Sequence, residues 1–212
     1  NLYEKKAHVS PQFPYNTYLC SIPLDFTLVP AHWHKDVELI VIKKGTGTIA
    51  VDMEPKTVHA GDIILVRPGQ IHSIAQHGED KMEYETILFQ PYLLYSQSTD
   101  LRTLEYFEPY FELEYDLPWY ISDSFSCHKK LKECIDQIDT LCCKRPRYYE
   151  LSVKGYLFQF FYLLFSGQET PIFSSSRKSL DKVNQMISYI ENHYMEPITV
   201  QSAADHMGFS TS

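Results

Sequence analysis

No apolar run in this chain of 212 residues approaches the roughly 20 residues that a membrane-spanning helix needs. The most apolar stretch, YLFQFFYLLF at 156–165, is about half that length, carries Gln159 and predicts a buried helix. Cysteine is sparse: Cys20, Cys127, Cys134, Cys142 and Cys143 are odd in number and lack a C-x-x-C spacing. That excludes a disulfide framework and a zinc knuckle, and points to reduced thiols in a cytoplasmic protein. Positive charge is short too, with 19 Lys and Arg against 27 Asp and Glu and a net charge of −8. DNA binding rests on a basic face that neutralises phosphates, so the chain as it stands is not expected to bind DNA. No signal-peptide pattern opens it, and its first residue is Asn1 rather than Met.

What is present is ordinary for a globular protein: 44% hydrophobic and 22% charged residues. Sixteen tyrosines and twelve phenylalanines exceed what a core of this size requires, so some are expected to line a pocket.

Up to about residue 90 the chain is punctuated like an all-β domain. TYLCSIPLDFTLVP predicts one or two extended segments. DVELIVIKKG and TGTIAVDM predict two strands with a hairpin at Gly45 and Gly47. Further strands are expected at 63–67, at 71–75 after the Pro68-Gly69 turn, and in MEYETILF. Residues 92–124, aromatic and acidic but weakly periodic, predict loop with short helical turns. Beyond 125 the period changes. Leu131, Ile135, Ile138 and Cys142 step by four, three and four, one stripe of a helix. A second helix at about 149–166 would form an antiparallel pair with it. The stripe could meet a partner subunit or pack on the β-domain. Residues 167–178 are linker by composition. Leu180, Val183, Ile187, Ile190 and Tyr194 predict a further helix, and Thr199 is placed to cap a short one carrying Ala203 and Ala204.

The chemistry concentrates in HWHKDVELIVIKKG, residues 32–45. His32, His34 and Glu38 stand at even offsets and share one face of a strand. GDIILVRPGQIH adds His72. Three imidazoles and a carboxylate make a mixed N/O donor set, suited to a first-row divalent metal or to hydrogen-bonding an organic molecule. Tyr84 on a later strand is a candidate wall of the same pocket. Trp33 points to the opposite strand face. Arg67 is expected in solvent, and His8, His59, His77, His128, His193 and His206 read as surface or cap residues.

These two stretches resemble the paired motifs of the cupin superfamily: H-x-H-x3-E-x6-G in His32, His34, Glu38 and Gly45, then Gly61, Gly69 and His72. The pattern departs at Phe26, Arg67 and Gln76, where cupins carry glycine, proline and asparagine. ITVQSAADHMGFSTS resembles the start of the DNA-binding domain of AraC-type transcription regulators, with Ala204, Gly208, Phe209 and Ser210 on the helix-turn-helix pattern. The order barrel, helical pair, linker, helix-turn-helix also resembles that family.

The resemblance implies a mainly β plus α chain in four parts. These are a cupin-like jelly-roll effector domain with an N-terminal arm at 1–124, a helical dimerisation segment at 125–166, a linker at 167–178, and an incomplete DNA-binding domain at 179–212. It implies a ligand-sensing regulator rather than an enzyme, with a small-molecule, sugar-like effector at His32, His34, Glu38, His72 and Tyr84. A homodimer would form through Leu131, Ile135, Ile138 and Cys142. Thr199, Ala204, Gly208 and Ser210 would belong to a partial DNA-binding element whose reading helix lies past Ser212. Residues 177–212 hold three Lys and Arg against four Asp and Glu, so DNA would be a partner of the longer protein only. No membrane role and no obligatory cofactor are expected, with a divalent metal at His32, His34, Glu38 and His72 the alternative. The competing reading is a metal-dependent cupin enzyme built on those four residues.

Overall fold

A computed structural model describes residues 2–4, 8–94, 101–167, 172–173, 186, 189–190, 193 and 198–206. Most of the expected linker, most of the helix expected after it, and Gly208 and Ser210 lie outside these. No helix among the described residues is long and apolar enough to cross a membrane.

Seven strands build the barrel: β1 (Tyr15–Ile22), β2 (Leu28–His32), β3 (Val37–Val51), β4 (Glu54–His59), β5 (Ile63–Val66), β6 (His72–Gln76) and β7 (Met82–Phe89). All their pairings are antiparallel. The expected hairpin at Gly45 and Gly47 does not form; β3 runs through both glycines as one 15-residue strand. Its first half pairs with β7 and β5, its second half with β4 and β6. A register shift between Ile42 and Lys44 and the positive φ of Gly45 (77°) mark the corner where it passes from one sheet to the other. The turn lies later, at Asp52 and Met53, both at positive φ. The glycines read as turn signals are a bend within a strand.

Both faces of ELIVI and IILV are buried, for two different reasons. Glu38, Ile40, Ile42, Ile64 and Val66 face the barrel interior, while Val37, Leu39, Val41, Ile63 and Leu65 face a helical layer. That layer begins with α1 (Leu101–Phe111), a full helix where loop was expected. Pro109 lies inside it and most of its apolar side chains are aromatic, which hid its period. Phe107, Tyr110 and Phe111 bury against α3 (Tyr149–Ser166), the Phe107 and Phe161 rings 5.3 Å apart. Burying each such ring contributes about 1.5–3 kcal/mol. Short strands β8 (Tyr115–Asp116) and β9 (Tyr120–Ile121) follow, β9 extending the sheet at β5 and β8 pairing with β10 (Ile172–Phe173).

α2 (His128–Lys144) and α3 form the expected antiparallel pair on the barrel. The stripe expected as the dimer contact is corrected here. Leu131, Ile135 and Ile138 are fully buried within the chain, among α3 and the outward residues of the sheet. Cys142 packs beside Tyr15 of β1. The apolar surface of Leu131, Ile135 and Ile138 is already covered, so it is not free for a second copy; Cys142 is half-buried. Lys43 of β3 pins α2 further, donating to Asp139 of α2 and ion-pairing with Glu85 of β7, at 2.7 Å each. His128 is no surface residue either: its ring contacts the Gly61 carbonyl at 2.8 Å, tying the start of α2 to the barrel.

Near the C-terminal end, α4 (Val200–His206) starts as the spacing predicts. Thr199 Oγ1 accepts the Ser202 N–H and Ser202 Oγ accepts the Thr199 N–H, both at 3.0 Å, a reciprocal N-terminal cap. Ala203 and Ala204 are buried.

Candidate functional site

Three strands bring four of the expected residues together inside the barrel. His32 ends β2, Glu38 begins β3, and His72 begins β6 opposite His32. His34 sits between β2 and β3. The His32 and His72 rings lie 4.2 Å apart and those of His34 and His72 5.0 Å apart. One donor atom of each histidine falls within 4.8 Å of the others. The Glu38 carboxylate is 2.8 Å from His34 Nε2 and 2.9 Å from His72 Nε2.

The backbone sets the tautomers. Nδ1 of His32, His34 and His72 faces the carbonyls of Pro30, Asp36 and Gln70 at 2.8, 3.1 and 3.1 Å. A carbonyl only accepts, so Nδ1 donates in each case and a neutral ring turns a bare Nε2 lone pair inward. Those lone pairs then meet a carboxylate, itself an acceptor. His72 Nε2 is fully buried and has no hydrogen-bond partner despite its closeness to Glu38. A cation resolves the conflict: a proton on a ring, or a metal ion. The donor set fits a metal, because ring N–H to carbonyl bonds are how ligating histidines are oriented.

Without a metal, protons do part of this work. Burial lowers the basicity of His34, but the Glu38 hydrogen bond and charge outweigh it and raise its pKa. Burial opposes ionisation of Glu38, yet the nearby His72 charge and the His34 hydrogen bond and charge hold its pKa far below the usual carboxylate range. Burial and the His72 charge lower His32.

His32, His34 and Glu38 line a cavity of about 400 Å³, while His72 is buried and is not part of its lining. Tyr84 stands on its wall beside Thr86 and Leu88 of β7. Burial, then the charges of Cys20 and Glu38, raises the Tyr84 hydroxyl above its ordinary range and keeps it protonated. Phe26, Leu28, Val29 and Ile74 add apolar lining. Among the described residues no Lys or Arg lines the space.

Several residues fall elsewhere than expected. Trp33 does not line the cavity and packs against the Tyr3 ring at a tilt of 53°. Arg67 is buried rather than solvated, lying over the Tyr110 ring and donating to the Tyr110 carbonyl and the Gln70 side chain. His8 is not a surface residue; it lines the cavity with Glu4. Glu4, His8, Tyr18 and Cys20 were not read as wall residues. Only the four-residue spacing of Glu4 and His8 hinted at a pair, and it does not say where the segment folds back.

Residues 25–126 match the AraC-like ligand binding domain family. The uncharacterized HTH-type transcriptional regulator YdeC of Bacillus subtilis strain 168 is 23% identical over 96% of this chain and 70% of its own length. Among solved structures, a cupin protein of Bacteroides fragilis is 23% identical over 36% of this chain, at a TM-score of 0.34. A predicted oxalate decarboxylase of Thermotoga maritima is 25% identical over 30% of this chain, at a TM-score of 0.29. This chain spans 66% and 56% of those two proteins.

Proposed function

We propose that this chain, an AraC-type regulator with a cupin sensor domain, takes a small neutral polar molecule into the mouth of the barrel and passes its presence to a DNA-binding domain. The observation that carries this reading is the cavity itself. Most of its lining comes from the barrel residues within the sensor-domain match, and polar groups share that lining with apolar ones. Its volume lies at the small end of organic-ligand sites. Imidazole, carboxylate, phenol and Thr86 hydroxyl groups beside apolar side chains suit a sugar or polyol. Ligand-binding roles for His32, His34, Glu38, His72 and Tyr84 follow.

If a divalent metal occupies the centre, His32, His34, His72 and Glu38 are the residues that would hold it. It would supply a Lewis-acidic anchor for an effector oxygen. Turnover by a cupin enzyme is the disfavoured alternative, because the family match is to a binding domain. No residue here is assigned a catalytic role.

The partition into sensor (1–124), helical segment (125–166), linker (167–178) and a DNA-binding-domain segment (179–212) is part of the same proposal, with Thr199, Ala204, Gly208 and Ser210 in the last. The site of action would be the cytoplasm. Two half-sites on DNA call for a homodimer. With the α2 stripe buried, that contact would fall to the apolar stripe α3 leaves exposed: Leu151, Gly155, Phe158 and Tyr162, at steps of four, three and four. A Cβ at Gly155 would meet nothing within 4 Å, so a second helix could approach closely there.

A thermal-shift screen of sugars and polyols tests the reading. A true effector at 100 times its Kd adds roughly 2.7 kcal/mol of stability, and Tyr84→Phe should weaken the shift. If neutral polar compounds give no shift while anions do, the assigned ligand class is wrong.

A further inference from the structure

The segment ahead of β1 reaches the same centre, although the family match begins only at residue 25. Residues 2–4 lie parallel to the chain at Trp33. The Trp33 N–H donates to the Leu2 carbonyl at 2.8 Å, and the Glu4 N–H donates to the Trp33 carbonyl at 3.0 Å. The Tyr3 ring covers the Trp33 indole with centroids 4.7 Å apart. In an extended segment the next side chain points the other way. Glu4 accordingly turns inward, its carboxylate 3.5 Å from His32 Nε2 and 2.8 Å from His8 Nε2. The His8 side chain is 9% exposed, and its Nδ1 has no hydrogen-bond partner.

Donor counting shows what this carboxylate adds. Three inward Nε2 lone pairs and Glu38 already form a cluster of acceptors with a fully buried, unpartnered nitrogen at His72. Glu4 brings a second anionic oxygen to the edge of that cluster. Two carboxylates and neutral imidazoles balance one divalent ion, and an N/O set of this kind suits the first-row series from manganese to zinc.

We propose that Glu4 is an arm-borne ligand for a divalent cation held by His32, His34, His72 and Glu38, so that filling the centre also docks the N-terminal segment over the cavity. This rests on the reading of the imidazole cluster as a cation site. His8 is the positioning residue that holds the Glu4 carboxylate. Because Glu4 and His8 also line the cavity, cation binding closes one side of the effector pocket. The barrel motif supplies the floor of the site and the segment before residue 25 supplies its latch.

The test uses the whole chain, purified metal-free, with cobalt(II) alone as the probe. Calorimetry measures affinity, visible absorption reports the coordination sphere, and Trp33 fluorescence in a Trp119→Phe background reports docking of residues 2–4. Limited proteolysis ahead of residue 15 gives a second reading of docking. Expected are saturable cobalt binding, protection of the segment by cobalt, and a loss of affinity on the order of 10–100-fold in Glu4→Gln, with a changed absorption band and lost protection. Glu79→Gln, an exposed carboxylate remote from the centre, should change none of these. If cobalt does not bind the unmodified chain, the cation reading of the cluster fails and the latch with it. If cobalt binds and Glu4→Gln has the same affinity, spectrum and proteolysis pattern, the latch is overturned while the centre stands.

Discussion

Ile138→Ala separates a core helix from a dimerisation helix. Ile138 has no exposed surface and lies among residues of α3 and of the barrel's outer face. Trimming it to a methyl group removes most of a buried aliphatic side chain, at about 0.8 kcal/mol per buried methylene, and leaves a cavity. The expected loss is about 2–4 kcal/mol. For a chain of this size that corresponds to a fall in Tm of roughly 5–15 °C. Calorimetric or circular-dichroism melts over a hundredfold range of protein concentration are the assay. A core residue lowers Tm by the same amount at every concentration. An interface residue would instead remove a concentration dependence present in the parent. A shift below about 1 kcal/mol, together with loss of that dependence, would refute the placement of the α2 stripe in the chain's own core. The contrasting variant is Tyr162→Ala on the exposed stripe of α3. It should cost little stability at low concentration and weaken any dimer.

The His34–Glu38 pair makes metal-free stability depend on pH from both sides. Glu38 is depressed, so its contribution is present above the unfolded carboxylate pKa and is lost as pH falls through its folded value; His34 is raised, so its contribution is present below the unfolded histidine pKa and is lost as pH rises through its folded value. The pair should therefore stabilise most between about pH 4.3 and 6.5, and Glu38→Gln should flatten the acid limb of a Tm-against-pH profile. Lys43→Met leaves Glu85 and Asp139 facing each other and should cost about 1–3 kcal/mol in denaturant unfolding at neutral pH; adding Glu85→Gln should recover part of that, and no recovery would mean the pair does not repel. Gly45→Ala should destabilise by roughly 2–4 kcal/mol, because φ is +77° and the new Cβ would stand 1.8 Å from the Lys81 carbonyl oxygen; an unchanged unfolding midpoint would show that the corner of β3 can move.

The cupin motif was legible because its chemistry is local. Even spacing puts His32, His34 and Glu38 on one face, and a strand keeps that face whatever surrounds it. Capping of α4 by Thr199 was legible for the same reason, since a hydroxyl and an N–H three residues apart meet in any helix start. The corner in β3 was not, because a glycine that ends a strand and one that bends it look alike until the partner strands are known. α1 was missed because aromatic residues around Pro109 carry little period, and its stability comes from ring packing on α3 rather than from its own pattern.

Sequence alone determined which side chains could form the centre and that a helical pair follows the barrel, because periodicity and spacing act over a few residues. Only the tertiary structure decided which burial each face received. It turned the α2 stripe into internal core, took Arg67 out of solvent, and set Glu4 and His8 beside His32. Those outcomes depend on which distant segments come within van der Waals or hydrogen-bonding range, and on covering apolar surface and pairing buried charge across them.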